Sequence, residues 1–449
     1  MSDKPNVIFV FSDQQRWDTM GCYGQELEVS PNLDQLAERG VLFKNAFTCQ
    51  PVCGPARSCI QTGKYATETG CYRNHIALPR DTKTIAHWFS EAGYNLGYIG
   101  KWHLSSTGRE TDIDVGPEFN YRTRPVPLEL RGGWKDYWLA ADALEFTSHG
   151  NEGHMFDKDM NKVEFDGYRV DAETDFVLDY LREYDRDDPF FLFISYLEPH
   201  HQNDQNTYVG PEDSQEKFSD FEVPGDLIDT EGDWRENYPD YLGCCHSIDK
   251  NVGRIIDELN KQGIYEDTII IYTSDHGSHF RTRNSEYKRS CHESSIHIPM
   301  IISGPGFNSG DKIDELVSLI DLPPTLLKIA GLKVPHYMQG KPLQDLLQDE
   351  TTNWREEVFT QISESQVGRA VRTKRWKYSV KAPDKDGSKY SKSSVYEEDF
   401  LYDLKNDPYE KNNLVTDPRY RDIRKDMQKR LVQNMKKAGE EVPKILPKK

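Results

Sequence analysis

The chain alternates short apolar runs with amphipathic segments, and this alternation predicts an α/β fold. The apolar runs suit strands buried on both faces of a parallel sheet; they lie at 6–11, 94–99, 190–196, 268–273 and 299–303. Segments with apolar residues three or four apart predict the helices; they lie at 31–39, 84–92, 170–184 and 241–262. Strands that alternate with helices indicate a large, mostly parallel sheet flanked by helices.

The pattern changes near residue 351. The elements predicted beyond it are short strands at 356–363, 368–372 and 376–380, a polar loop at 381–394, and an amphipathic helix at 419–437. Such a series is typical of a small antiparallel α+β unit. We therefore assign a catalytic α/β domain to 1–350 and a C-terminal subdomain to 351–449.

Two long stretches, 104–165 and 201–240, have weak periodicity and many Gly, Pro, Asp and aromatic residues. Long irregular insertions in compact enzymes usually form substrate pockets or lids, so we expect these stretches to line the site. Their aromatic side chains fit either stacking on sugar faces or local cores. These residues are Trp134, Tyr137, Trp138, Trp234 and Tyr238.

Four predicted strands are followed by residues that carry charge or bind metals. In chain order these residues are Asp13 with Gln14, Lys101 with His103, His200, and Asp275 with His276. Ligands of open α/β sheets bind at the carboxyl ends of the strands, so we expect these side chains to share one site. Asp13, Gln14 and Asp275 offer oxygen ligands, which suit a hard divalent cation.

Charge and composition exclude several classes of function. The 449 residues include 75 acidic and 56 basic ones, a net charge of −19, so nucleic acid and anionic membranes are not expected partners. Eight cysteines in this length do not indicate a disulfide framework. The beginning of the chain has no signal-peptide pattern, and no apolar run reaches the roughly 18 residues of a membrane span. These features predict a cytoplasmic enzyme.

The stretch from Cys53 to Arg57, Cys-Gly-Pro-Ala-Arg, is the most specific motif, and three interpretations compete for it. Cys53 fits an ordinary buried cysteine before a helix that Pro55 begins. A thiolate phosphatase needs an arginine six positions after the cysteine, but position 59 is Cys. Cys-x-Pro-x-Arg is also the recognition sequence for oxidation of a cysteine to formylglycine.

With this last interpretation, the chain resembles the type I, cysteine-type sulfatase family of the alkaline phosphatase superfamily. Four further stretches resemble family signatures in the same order; they are 93–103, 274–277, 287–299 and 401–410. The resemblance extends from Asn6 to about Asn413. It implies an alkaline-phosphatase-like fold and hydrolysis of a sulfate ester, of a sugar or another small organic molecule.

Three positions depart from the family pattern. Gln61 replaces an apolar residue and Leu96 replaces Ser or Thr, and we expect both to lie away from the chemistry. Gln14 follows Asp13 where many members have a second Asp, which is closer to members that resemble phosphonate monoester hydrolases. A phosphonate monoester or phosphodiester hydrolase is therefore the alternative. An inactive glycan-binding relative is disfavoured because no catalytic position is lost.

The resemblance implies a modified nucleophile beside a metal ion. Cys53 would be converted to formylglycine by a maturation enzyme, which is then an expected partner of the chain. The metal ligands would be Asp13, Gln14, modified Cys53, Asp275 and His276. Calcium is the first choice for this oxygen-rich set, with magnesium or manganese as alternatives.

The resemblance also implies roles for five further residues. Arg57 and Lys101 would stabilise the ionised nucleophile, and His103 would be the base that allows sulfate to leave. His200 and Lys288 would contact the sulfate group and protonate the leaving oxygen.

Overall fold

A computed structural model describes residues 4–106, 120–347 and 354–448. The strands are β1 Asn6–Ser12, β2 Val41–Phe47, β3 Asn95–Lys101, β4 Tyr137–Ala141, β5 Glu152–Asp157, β6 Lys162–Asp166, β7 Phe190–Ser195, β8 Thr268–Ser274, β9 His297–Ile298, β10 Met300–Ser303, β11 Asp311–Ser318, β12 Glu357–Ile362, β13 Gly368–Thr373, β14 Trp376–Lys381, β15 Val395–Asp403 and β16 Lys444–Leu446. The α-helices are α1 Pro31–Arg39, α2 Cys53–Thr62, α3 Ala66–Thr69, α4 Ile85–Glu91, α5 Arg169–Glu183, α6 Ser214–Lys217, α7 Trp234–Gln262, α8 Glu293–Ile296, α9 Leu322–Ile329 and α10 Arg421–Lys437.

The first eleven strands form one large mixed sheet in the order β11-β2-β10-β8-β1-β7-β3-β4-β5-β6, with β9 paired to β2. The central strands β8, β1, β7 and β3 run parallel, as predicted, and β4, which was not predicted, continues the parallel pairing. Towards the edges the pairing is mixed, because β10 is antiparallel to both of its neighbours and β5 and β6 form an antiparallel extension. The predicted α/β class is confirmed, with a sheet that is parallel in its centre.

Helices cover both faces of this sheet, and strand β1 shows why. Its side chains alternate between two apolar cores: Val7, Phe9 and Phe11 face one core, and Ile8 and Val10 face the other. The first core contains side chains from α2, α4 and α9, and the second contains side chains from α1, α5 and α7. A strand buried on both faces reads as a continuous apolar run, which is the pattern seen in the sequence.

The C-terminal subdomain is a five-stranded sheet, in the order β12-β13-β14-β15-β16, with α10 packed on it. The pairing is antiparallel except between β15 and β16. Met427, Leu431 and Met435 of α10 belong to the same apolar core as β1, so no gap separates the two units. The predicted boundary at residues 350 and 351 lies outside the described residues.

The prediction of an irregular insertion at 104–165 is wrong in part. Strands β4, β5 and β6 lie there and widen the sheet. Strands β5 and β6 are half exposed at the sheet edge, so they lack the apolar run that marks the central strands. Four of the five aromatic residues assigned to sugar stacking or local cores are buried, which favours the cores; these are Trp134, Trp138, Trp234 and Tyr238.

Helix α7 begins seven residues before its predicted start at Tyr241. The predicted helix begins just after Pro239, a residue type that normally interrupts a helix, yet α7 contains that residue. Within the described ranges, no helix combines the length and apolarity that crossing a membrane requires. All eight cysteines are free thiols, in agreement with the sequence.

Candidate active site

The carboxyl ends of β8, β1, β7 and β3 meet at one edge of the large sheet. The register aligns Ser12 with Ser274, and Phe11 with Ser195, which in turn aligns with Gly100. The residues that follow these positions therefore emerge side by side. All ten residues singled out in the sequence are at most 6% exposed; they are Asp13, Gln14, Cys53, Arg57, Lys101, His103, His200, Asp275, His276 and Lys288.

Cys53 lies at the centre of this group. It is the first residue of α2, and its Sγ atom lies 3.3 Å from Asp13 Oδ1, 3.3 Å from His276 Nε2 and 3.0 Å from Lys288 Nζ. The next amide, of Gly54, donates to a side-chain oxygen outside the helix, so the first turn is held in place. A reactive group at position 53 would thus face acids, a base and a cation at once.

Two carboxylates beside Cys53 belong to a cluster that could hold a cation. The ligand atoms of Asp13, Cys53, Asp275 and His276 all lie within 4.8 Å of one another. Among the described residues, Asp275 Oδ2 has no hydrogen-bond partner. His276 Nδ1 donates to the Gly277 carbonyl at 2.9 Å, which leaves the lone pair of Nε2 facing the acids.

The electrostatics of this cluster also fit a divalent cation. Burial raises the pKa of Asp275 to about 7, and the negative charge of Asp13 adds to the increase. Burial would raise the pKa of Asp13 too, but the ammonium groups of Lys101 and Lys288 hold that pKa well below its usual value. A bound cation would let both carboxylates remain ionised, and their oxygens suit calcium or magnesium.

Gln14 adds a third side chain with an oxygen ligand beside Asp13 and Asp275, and its backbone conformation is unusual. Its φ of 72° lies in the left-handed region, which non-glycine residues seldom adopt. Its backbone amide donates to Asp275 Oδ1 at 2.9 Å, and its side-chain amide donates to the Tyr208 hydroxyl at 2.7 Å. The remaining oxygen, Oε1, accepts from Lys288 at 3.2 Å and therefore points into the site.

Arg57 and Lys101 both approach Asp13. Arg57 Nη2 lies 3.1 Å and Lys101 Nζ 2.9 Å from Asp13 Oδ2. Arg57 also donates to Ser195 Oγ at 2.6 Å, and Lys101 lies 3.3 Å from Glu145. Burial alone would lower the pKa of Lys101, but Asp13 and Glu145 raise it above its usual value, so the ammonium stays charged.

The three remaining residues differ in their hydrogen bonding. Neither ring nitrogen of His103 has a hydrogen-bond partner within the described part of the chain, and burial followed by Lys101 lowers its pKa well below the usual value. His200 Nδ1 donates to the His201 carbonyl at 2.6 Å, so a neutral ring carries its lone pair on Nε2. Lys288 contributes the ammonium group that contacts Cys53 and Gln14.

Four partners of these residues were missed in the sequence. They are Ser195, Glu145, Tyr208 and Asn74, which contact Arg57, Lys101, Gln14 and Gly54 respectively. Ser195 ends strand β7, so its place at a strand end was a usable signal. The other three lie in segments without periodicity, where no local pattern marks a functional residue.

The two departures in the motifs lie away from the chemistry, as expected. Gln61 is in the last turn of α2 and accepts a hydrogen bond from the Trp134 indole at 3.1 Å, which satisfies a buried polar group. Leu96 is near the start of β3, at the opposite end of the strand from Lys101. Neither substitution changes the ten clustered residues.

Comparison with known proteins agrees with this geometry. Residues 5–332 match the family model described as Sulfatase, and residues 285–437 match the one described as N-sulphoglucosamine sulphohydrolase, C-terminal. An ulvan-active sulfatase of Formosa agariphila is 28% identical, covering 98% of this chain and 82% of that protein. An N-acetylglucosamine-6-O-sulfatase of Bacteroides thetaiotaomicron is 25% identical, covering 98% and 88%. A crystal structure from Bacteroides fragilis, described as a sulfatase, has a TM-score of 0.82 and 26% identity, covering 98% of this chain and 97% of that one.

Proposed function

Since the chain belongs to the sulfatase family and is a sulfuric ester hydrolase, we propose that it removes sulfate from a sulfated sugar at the site around Cys53. One observation carries the proposal. The Cys53 side chain lies within 3.3 Å of a carboxylate, an imidazole and an ammonium group in a fully buried cluster. A sulfate ester needs this combination, because it must meet a nucleophile, charge neutralisation and a proton donor together.

The nucleophile in this proposal is formylglycine made from Cys53. The complete Cys-x-Pro-x-Arg motif and the contacts of Cys53 Sγ with Asp13 and Lys288 support it. Oxidation would supply an aldehyde hydrate with two hydroxyl groups, one to attack sulfur and one to expel sulfate afterwards. A maturation enzyme that forms the aldehyde is then a necessary partner. Arg57 and Lys101 hold Asp13 ionised beside these hydroxyls.

A divalent cation would be held by Asp13, Gln14, Asp275 and His276, together with the modified Cys53. Calcium is the first candidate because four of these groups present oxygen, and magnesium or manganese are the alternatives. The cation would supply Lewis-acid polarisation of a sulfate oxygen.

Lys288 is the group that we assign to protonation of the leaving oxygen. Its ammonium group donates hydrogen bonds to Cys53 Sγ and Gln14 Oε1, beside the place where the substrate would bind. His200 in its neutral form has no proton on Nε2, so it would accept a hydrogen bond at that atom. Neither ring nitrogen of His103 has a hydrogen-bond partner among the described residues, and burial lowers its pKa, so the ring is neutral at neutral pH and has a lone pair that can accept a proton.

The substrate class rests on the relatives. One is named for activity on ulvan and another for a 6-O-sulfated N-acetylglucosamine, so a sulfated sugar is the first candidate. A phosphonate monoester or phosphodiester hydrolase is not favoured, because its support is limited to two sequence features. These are Gln14 in place of a second Asp, and the pairing of Asp275 with His276.

A substrate panel tests the proposal directly. We expect turnover of at least one sulfated monosaccharide, tested beside choline sulfate, 4-nitrophenyl sulfate and a phosphonate monoester, with sulfate release measured by ion chromatography. The protein should come from a host that contains the maturation enzyme. Faster turnover of the phosphonate than of every sulfate would contradict the proposed function.

Replacing Lys288 by alanine should lower kcat on a sugar sulfate by about 10²–10³-fold, the usual cost of losing one donor to developing charge. The loss should be smaller on 4-nitrophenyl sulfate, because a good leaving group needs less protonation. Steady-state kinetics on both esters measure the difference. Lys162→Ala, at the far edge of the sheet on β6, is the control and should keep the wild-type kcat. Equal losses on both esters would mean that Lys288 only binds sulfate.

A further inference from the structure

The turn between β12 and β13 brings a carboxylate of the C-terminal subdomain to the active site. The side chain of Glu364, in this turn, is only 4% exposed. Glu364 Oε1 accepts from the Asn74 backbone amide at 2.7 Å, and Oε2 lies 2.7 Å from Arg289 Nη2. We propose that Glu364 is a positioning residue that fixes both Cys53 and Lys288; this inference rests on the function proposed for those two residues.

The first connection leads to the nucleophile. Asn74 Oδ1 accepts the Gly54 backbone amide at 2.9 Å, directly after Cys53. A Cβ atom at Gly54 would lie 3.1 Å from that side-chain oxygen and 3.6 Å from the Asn74 Cα atom, so the two residues are already in close contact. Because Glu364 holds the Asn74 backbone, it also determines where the first turn of α2 lies. An error in that position would displace the group at Cys53 from its target.

The second connection leads to the proposed acid. Arg289 directly follows Lys288, and its backbone amide donates to the Pro51 carbonyl at 3.2 Å. Ser365, the neighbour of Glu364, donates its hydroxyl to the Arg289 carbonyl at 2.7 Å. The turn therefore holds Arg289 by its side chain and by its backbone. The Lys288 ammonium, 3.0 Å from Cys53 Sγ, depends on this segment for its position.

Backbone conformation points to the same pair independently. Glu364 has a φ of 65° and Arg289 has a φ of 68°. Non-glycine residues seldom adopt this left-handed conformation, and it persists only where surrounding contacts enforce it. Here it occurs at both ends of one ion pair, next to a residue of the proposed chemistry.

The substitution Glu364→Gln separates the two connections. Glutamine keeps an oxygen that can accept from Asn74 but loses the charge that pairs with Arg289. We expect kcat on a sugar sulfate to fall about 10–100-fold, the usual effect of losing a supporting contact behind a catalytic group. The loss on 4-nitrophenyl sulfate should be smaller, as for Lys288→Ala, and KM should be unchanged.

Two further variants complete the experiment. Glu364→Ala breaks both connections, so it should add a loss that is equal on the two esters, because the nucleophile also shifts. Glu364→Gln combined with Lys288→Ala should be no slower than Lys288→Ala alone, since the two changes disable the same step. Asp403→Ala removes an ion pair with Arg375 inside the C-terminal subdomain and is the matched control, with kcat unchanged on both esters.

The proposal is overturned if Glu364→Gln keeps the wild-type kcat on both esters. A loss that is equal on both esters and multiplies with that of Lys288→Ala would also overturn it, since such a loss would reflect general destabilisation. Failure of the underlying function would look different. Lys288→Ala would then retain full kcat on both esters, a result that does not depend on any variant of Glu364.

Discussion

Replacing Cys53 by serine should lower turnover by about 10⁴–10⁶-fold, the range found when a nucleophile is removed from an active site. Serine has one hydroxyl group, which can attack sulfur but leaves no second hydroxyl to expel the sulfate. The side chain lies within 3.3 Å of Asp13 and His276, so a hydroxyl there would still meet the substrate. We therefore expect the variant to trap one sulfuryl group, visible as added mass on the intact protein.

The wild-type protein provides the companion measurement. Mass spectrometry of the peptide that contains Cys53, from an active preparation, should show an aldehyde in place of the thiol. Cys59→Ser is the matched control, because Cys59 lies in the same helix but its side chain belongs to the apolar core. It should keep its turnover. Fully active protein that contains only the unmodified Cys53 thiol would exclude this chemistry.

Asp13→Asn should have the second largest effect, with a fall in kcat of about 10²–10⁴-fold and loss of the bound metal. Asparagine has nearly the same shape as aspartate but no charge, so the proposed metal site loses an anionic ligand. The stabilisation that the metal gives to the transferring sulfate group, worth several kcal/mol, is lost with it. The asparagine amide would also present N–H donors either to the cation site or to Arg57 and Lys101, which now lie 3.1 and 2.9 Å from a carboxylate oxygen. Both cations would then be buried without their main counter-charge.

Metal content separates this effect from simple unfolding. Elemental analysis should find the cation in wild-type protein and little in Asp13→Asn. Asp249→Asn is the control, because Asp249 is equally buried but bonds the start of α1 instead, and it should bind as much metal as wild type. Chelation of the wild-type protein should likewise stop turnover. Full turnover in a sample without detectable metal would contradict a catalytic cation.

Sequence patterns predicted the central sheet because its strands are buried on both faces. An apolar run such as β1 or β8 can be recognised in a single amino-acid sequence. The polar residues that follow it mark the edge of the sheet at which a site forms. Strands β6 and β15 escaped prediction for the opposite reason. Strand β6 alternates between exposed and half-buried positions, and β15 carries acidic residues inside an otherwise apolar strand.

The ten predicted site residues could be found because each belongs to a recognisable motif or strand end. Their supporting contacts could not, since Glu145 and Tyr208 are isolated residues in loops and only the fold brings them to Lys101 and Gln14. Glu364 is the clearest case. Its segment was assigned to a separate subdomain, and nothing near it in the chain indicates that its partners are Asn74 and Arg289.

The distance along the chain between Cys53 and Lys288 also bears on synthesis at the ribosome. The two residues are 235 positions apart, yet their side chains are in contact in the folded protein. Strand β8, which pairs directly with β1, is likewise translated late. At about 5–20 residues per second, the ribosome needs on the order of 10–50 s to add the intervening residues. Throughout that interval the contact between Cys53 and Lys288 cannot exist, so the proposed maturation enzyme would meet the thiol before this contact encloses it.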